Sequence, residues 1–313
     1  NELNADGSIA LAIEDLGGTP LADIEIAIAN SGTGFQELLA GSASIGMASR
    51  PVRPREAAAF QDASLGNPTD PAQEYILALD GLLVVTARSN PVRNLSIEEM
   101  GGIFAGDITN WAEVGGLNAP INIYSREAGS GTRGVFEASV MELIGADISD
   151  DARTFDDNAD LSDAVASDPF GIGFTGYAAE RNARAVGVEE VCGIVTRPTV
   201  FNIKAEEYPL ARRLFLYTTN AALPNHARNL LDFTGSDAAQ DIIADAGFID
   251  QAISGAPMAE QGLRLASGML AAEDAAQLTD LREFASTMLN AERLSTTLRF
   301  QPGSSLLDAK AQR

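Results

Sequence analysis

The chain has 313 residues, 45% of them apolar and 21% charged, and its 21 Lys and Arg against 44 Asp and Glu give a formal net charge of −23. That balance argues against nucleic acid as a partner, because such binding draws its affinity from phosphate neutralisation. No apolar run nears the ~18–20 residues of a membrane span, so no membrane insertion is expected. With one cysteine, Cys192, and one histidine, His226, an internal disulfide, a Cys-based metal cluster and His- or Cys-based catalytic dyads are excluded. We expect no enzyme, no cofactor and no metal; Cys192 reads as a small packing residue and His226 as a surface or capping one.

The length suits two domains, or one two-lobed domain with an appendage. In chain order, the alternating IEIAI (24–28) predicts a strand, followed by NSGTG and a helix-like FQELLAG. A short strand SIGMAS and a polar, Pro-bearing stretch (51–71) come next. YILALDGLLVVTA (75–87) predicts two strands flanking a turn. SIEEMGGIFAG (96–106) predicts a helix, with Ser96 and Glu99 spaced as a capping box. INIYS (121–125) is a strand and GVFEASVMELIG a helix; strands follow at GIGFTGY, VCGIVTR and LFLYTT, then helices at HARNLLDFT and DAAQDIIADAGF. This order predicts an α/β architecture with parallel or mixed sheets. Beyond about 255 the chain turns Ala-rich, with Leu278, Leu281, Phe284 and Met288 at helical spacing, the pattern of helices packing on a neighbouring domain.

Two stretches repeat one order, strand then Gly/Ser/Thr loop then helix: IAIANSGTGFQELL and INIYSREAGSGTRGVFEA. Glycines there let backbone N–H groups approach a ligand, and the helix start offers unpaired donors to an anion. Ser31, Gly32 and Thr33 in the first loop, and Ser130, Gly131 and Thr132 in the second, are candidate donors. Each loop taken alone reads equally as an ordinary turn with a capping serine; two of them favour a site clamped from both sides. Arg126, at the exit of its strand, can present a planar fork to an oxyanion, and Arg50 in MASRP is a candidate second fork. Arg133, in the first helical turn, is either a site residue or a solvent-facing or inter-lobe one. Asp80 ends the apolar YILALD and is either a turn residue before Gly81 or an acceptor within the site. A carboxylate beside a bound anion repels it unless the ligand brings a proton, as hydrogen phosphate does and sulfate does not. Residues 129–134 also match the dinucleotide fingerprint G-x-G-x-x-G, but Arg126, Glu127 and Ala128 separate them from the strand, and no acid follows at the end of a second strand.

With these residues in view, the chain resembles the periplasmic phosphate-binding proteins that feed ABC transporters. NSGTGFQELLAGSASIGMASRPV, ALDGLLVVTARSNPV, LSIEEMGGIFAGDITNWAEVGG and YSREAGSGTRGVF carry the resemblance, and FGIGFTGY and EYPLARRLFLY extend it over about residues 22–250. It implies a two-lobed type-II periplasmic-binding-protein fold with a hinge, lobe I being 1–79 with 179–255 and lobe II 80–178. Hydrogen phosphate would lie between the lobes, held by the elements matching Ser31, Ser49 or Arg50, Asp80, Arg126, Ser130, Gly131 and Thr132, and an ABC permease would be the partner. The family normally opens with a strand ending in a Gly-Ser-Thr-like turn; NELNADGSIALAIEDLGG lacks it, so either the sequence begins after that element or the protein has lost it. A helical extension would fill 256–294. The tail RLSTTLRFQPGSSLLDAK is similar to the entry of an OmpA-like peptidoglycan-binding domain, with 295–313 as its start. The alternative function is therefore an envelope structural or sensory module with a degenerate anion site, anchored to peptidoglycan. Both readings place the protein in the periplasm or cell envelope.

Overall fold

The computed structural model describes residues 2–3, 8–14, 17–27, 31–190, 193–258, 262, 266, 269, 272, 274–289, 291–296, 298, 300 and 305–307. Ile28 and Cys192 lie outside them, as does most of 259–273 and of the tail. Two compact units divide the chain: Asn1–Leu77 with Leu214–Ala239, and Ala78–Arg213 with Gln240–Arg313. Among the described residues no helix is long and apolar enough to cross a membrane.

The first unit opens with an antiparallel sheet, Glu2–Leu3, Ile9–Glu14 and Pro20–Ile26. Alternation sets its register: Ile9 faces Ile26, Leu11 faces Ile24 and Ile13 faces Ala22, so one face is apolar. The expected strand at 24–28 thus begins earlier, at Pro20, and pairs with a strand that the sequence reading did not anticipate. Helix Ser31–Ala40 follows, and then strand Gly46–Ala48, which pairs with Phe215–Tyr217. Helix and strand approach so closely at Gly34 and Gly46 that a Cβ on Gly34 would stand 2.8 Å from the Met47 carbonyl oxygen, and one on Gly46 would stand 2.8 Å from that of Gly34. The last glycine of NSGTG is therefore required by packing. Phe35, Leu38, Phe60, Ile76, Phe215 and Tyr217 form the core, with the Phe35 and Tyr217 rings 4.9 Å apart. Burial pushes the Tyr217 hydroxyl above its ordinary range; it donates to Glu74 at 2.9 Å and accepts from the Val52 N–H at 3.2 Å.

Where two strands around a turn were expected at 75–87, one strand runs from Glu74 to Thr86 without interruption. Asp80 and Gly81 are its interior. In the second unit Leu79 pairs with Ile249 through reciprocal bonds of 2.8 and 3.0 Å, and the Leu82 N–H donates to Leu210 at 2.9 Å, so both flanks of Asp80-Gly81 are held in extended form. Gly81 makes no turn but gives room to a neighbour: a Cβ there would stand 2.7 Å from Ile203 Cδ1, which would have to move.

The rest of that sheet orders itself from this strand. Leu82–Thr86 pairs antiparallel with Gly171–Gly176, which runs parallel to Asn122–Arg126, itself parallel to Arg153–Phe155. Leu82–Thr86 and Gly171–Gly176 are buried on both sides, and with Asn122–Arg126 they carry Leu, Val, Ile and Phe against helices Ile97–Ala105, Gly131–Phe136 and Asn158–Ala166, while Arg153–Phe155 is an exposed edge. Ser96 caps the first of these as expected: its Oγ accepts from the Glu99 N–H at 3.1 Å, and Glu99 accepts from the Ser96 N–H at 2.9 Å. Helix Gly131–Phe136 continues through a π turn, Glu137–Met141, to Glu142–Ile144.

Residues 179–213 and 240–255, expected with the first lobe, cluster with the second unit. Tyr208 explains this, donating its hydroxyl to the Leu82 carbonyl at 2.9 Å, with Ile203 on Gly81. The C-terminal stretch is tied to the same segment. Lys204 Nζ donates to Asp250 at 2.7 Å and to the Ala252 carbonyl at 3.0 Å, and Arg293 pairs with Glu207 while its guanidinium covers Phe201. Strands Gly255–Pro257 and Glu292–Leu294 pair antiparallel, and helix Ala275–Met288 lies between them in sequence, within the expected helical extension. Of residues 295–313 the structure describes one isolated bridge, Phe300 to Leu307.

Phe104, fully buried with its ring 4.5 Å from Phe136 and 5.5 Å from Phe174, is the hub of the second core. Phe104→Ala is expected to lower unfolding free energy by about 3–5 kcal/mol, read as a lower urea midpoint; a change below about 1 kcal/mol would contradict this packing.

Candidate functional site

In the first unit the structure brings Ser31 and Ser49 together. The Ser49 N–H donates to Ser31 Oγ at 3.1 Å, and the two hydroxyls lie 3.3 Å apart. Ser31, Gly32 and Thr33 belong to the first turn of helix Ser31–Ala40, where backbone N–H groups lack intrahelical acceptors. Arg50 follows Ser49 but directs its fork at protein: Nη1 and Nη2 each donate to Glu56 at 2.8 Å, Nη1 also reaches the Pro51 carbonyl at 3.0 Å, and the guanidinium covers Phe35 at 5.3 Å. The paired fork that made Arg50 a candidate is therefore occupied by a carboxylate.

In the second unit Asp80 is 1% exposed and both its oxygens accept. Oδ1 faces the N–H groups of Gly81 at 2.8 Å and Tyr177 at 3.3 Å; Oδ2 takes Arg212 Nε at 2.8 Å and Nη2 at 2.6 Å. Arg212 was not anticipated. Its signal was present: a cation in the apolar strand Ala211–Tyr217, as odd as the anion in YILALD.

Arg126 ends strand Asn122–Arg126 and is 8% exposed. Nε donates to the Phe155 carbonyl at 3.0 Å, Nη2 to the Asp156 carbonyl at 2.5 Å, and Nη1 to Asn158 Oδ1. Ser130 caps the following helix, accepting from the Arg133 N–H at 3.3 Å, and leaves its own hydroxyl proton free to donate elsewhere. Thr132 is buried and accepts from Asn158 Nδ2 at 3.3 Å. Arg133 turns its side chain to Glu137 at 2.7 Å and to the Arg126 carbonyl at 3.1 Å, half-buried between them. Asn158 was also missed, and nothing in FDDNADL distinguishes it from a helix-start residue. Gly176 joins the two halves of this arrangement: an ideal Cβ there would lie 3.6 Å from Asp80 Oδ2 and 3.9 Å from both Arg212 Nη2 and Asn158 Nδ2.

Electrostatically, the second unit thus offers donors (Arg126, Ser130, Thr132) beside a carboxylate whose charge a dedicated arginine balances. That combination suits an anion with both acceptor oxygens and a proton.

A family model described as PBP superfamily domain matches residues 7–238, and the chain belongs to that family, with the α/β periplasmic-binding-protein fold expected from sequence. Among solved structures it is similar to an ABC-type phosphate transport receptor from Vibrio cholerae, 30% identical with a TM-score of 0.60, covering 70% of this chain and 84% of that one. It is similar also to a Clostridium perfringens protein, assigned as a phosphate ABC transporter substrate-binding protein and solved with bound phosphate. That protein is 29% identical with a TM-score of 0.57, over 71% of this chain and 85% of that one. Of the curated relatives, the phosphate-binding protein PstS of Borreliella burgdorferi is 27% identical over 57% of this chain, and that of Staphylococcus haemolyticus 29% identical over 74%. The matches span 66% and 72% of those relatives' own length.

Burial alone would raise the Glu56 carboxyl, but the Arg50 fork and the Arg53 N–H outweigh it and hold the group below the ordinary carboxylate range. A depressed carboxylate adds stability above its unfolded pKa, about 4.3, and loses it as pH falls through the lower folded value. Glu56→Gln is therefore expected to cost roughly 1 kcal/mol near neutral pH, with its melting temperature converging on that of the parent as the solution is acidified through that range. A gap that stays constant with pH would contradict the pairing.

Proposed function

We propose that this chain binds inorganic phosphate, in its hydrogen phosphate form and without covalent chemistry, as the solute-binding component of an ABC uptake system in the periplasm or cell envelope. Its partner in that role is an ABC permease. The observation that carries the reading is the Asp80 carboxylate, neutralised by Arg212 and sharing the surroundings of Gly176 with the Asn158 that holds Arg126 and Thr132. A lone carboxylate would repel any oxyanion. Paired with Arg212 it carries no net charge, and a ligand O–H would share an oxygen already bonded to Gly81, Tyr177 or Arg212, an arrangement open to hydrogen phosphate and closed to a fully ionised sulfate.

The ligand donors in this reading are Arg126, the Ser130 and Thr132 hydroxyls and the Gly131 N–H; Ser31, Gly32, Thr33 and Ser49 are the further donors that the sequence suggests. Arg50, committed to Glu56, contributes by holding Ser49's loop. The names and bound ligand of the similar proteins support phosphate as the anion.

Titration calorimetry with phosphate and with sulfate is expected to give tight binding of phosphate and weak or no binding of sulfate; equal affinity for both, or no phosphate binding, overturns the proposal. Asp80→Asn leaves Arg212 unpaired and removes the proton acceptor. It is expected to weaken phosphate and strengthen sulfate, narrowing the preference by about tenfold or more, the worth of one oriented hydrogen bond to a charged group. An unchanged preference rejects that role for Asp80.

A further inference from the structure

Asn158 is the first residue of helix Asn158–Ala166, and its backbone is fixed by the cap residue Asp157, which accepts from the N–H groups of Ala159 at 2.6 Å and Asp160 at 3.1 Å. The amide orientation follows from its neighbours. Arg126 can only donate, so the atom facing it is Oδ1, and Nδ2 consequently faces Thr132 Oγ1. Nδ2 can only donate in turn. Thr132 Oγ1 therefore accepts on that side, and its own proton points elsewhere.

Arg126 is constrained by the same amide. Its Nε and one hydrogen on Nη2 are spent on the Phe155 and Asp156 carbonyls, and one hydrogen on Nη1 on Asn158. One N–H on each terminal nitrogen has no partner among the described residues. The guanidinium plane is held by contacts on three sides, so those two hydrogens have fixed directions.

We propose that Asn158 is a positioning residue of the anion site: a single side-chain amide presets both Thr132 and Arg126 as donors before the ligand arrives. It thereby favours a ligand rich in acceptor oxygens, while the nearby Asp80 receives the ligand's one proton. Pre-set donors lose less entropy and need no reorganisation on binding, which is where the affinity gain arises. This inference rests on the phosphate reading above.

Calorimetry with inorganic phosphate on the full chain tests it, using Asn158→Ala, Asn158→Asp, Thr132→Val and the Asn158→Ala/Thr132→Val double variant. Asn158→Ala is expected to weaken phosphate by about tenfold, as for one lost oriented hydrogen bond. Asn158→Asp is expected to weaken it further, because its carboxylate neutralises Arg126 and draws the Thr132 proton inward. In the Thr132→Val background the alanine substitution is expected to cost clearly less than in the parent, a coupling that a purely structural role would not produce. Should Asn158→Ala fail to fold, Asn158→Ser carries the same comparison. Parent-like affinity in the Asn158 variants, or equal cost in both backgrounds, overturns the inference alone. An unmodified chain that gives no heat with phosphate overturns the phosphate reading, and this inference with it.

Discussion

A carboxylate in the middle of an apolar strand has to be neutralised or the strand does not form, and Asp80 meets that demand through Arg212, 132 residues away in sequence. Much of the second unit is arranged around this requirement. The strand stays extended through Gly81 because Leu79 is bonded to Ile249 and Leu82 to Leu210 on either side, while Ile203 packs on the space beside Gly81. The segment carrying Ile203, Tyr208 and Arg212 is consequently drawn onto it, with Tyr208 bonded to Leu82. That same segment presents Lys204 and Glu207, which tether Asp250 and Arg293 of the C-terminal stretch. One buried charge thus explains why residues far apart in sequence share a core.

The two Gly/Ser/Thr loops look alike in sequence and are built for different reasons. In the first, Gly34 is needed for the crossing of helix and strand, and the polar groups reduce to the Ser31–Ser49 pair with the helix start. In the second, Gly129 and Gly134 have open space where a Cβ would go, and the polar groups are wired to other elements through Asn158. Similar words at the sequence level therefore conceal one packing solution and one hydrogen-bonded solution. The arginines divide in the same way: Arg50 and Arg133 are paired directly with acids, whereas the guanidinium of Arg126 is held by carbonyls and an amide, with Asp157 near enough to feel its charge.

Local signals were read correctly from the sequence. Ser96 and Glu99 form their capping box, the strand in IEIAI is present as far as Ile26, and the helix expected at GVFEASVMELIG is present but begins three residues earlier, at Gly131, capped by Ser130. The errors come from contacts made at long range. A turn at Asp80-Gly81 is the reasonable local reading of an acid before a glycine, and only Leu210, Ile249 and Arg212 hold the segment straight. Arg212 was detectable as a charge in an apolar strand, the counterpart of Asp80. Asn158 was not, because an asparagine at a helix start has an ordinary local explanation and its partners lie 26 and 32 residues earlier.

The π turn at Glu137–Met141 gives the helix after the second loop an unusual freedom. Thr132, Phe136 and Val140 are buried at steps of four residues, and in an α-helix each such step drifts by about 40° around the axis. Wider winding absorbs that drift, so one face can carry a polar group at its start and core residues further along. The extra residue works as a register adapter. It uncouples the part of the helix that selection for a ligand acts on from the part that selection for packing acts on, and lets each change with little cost to the other.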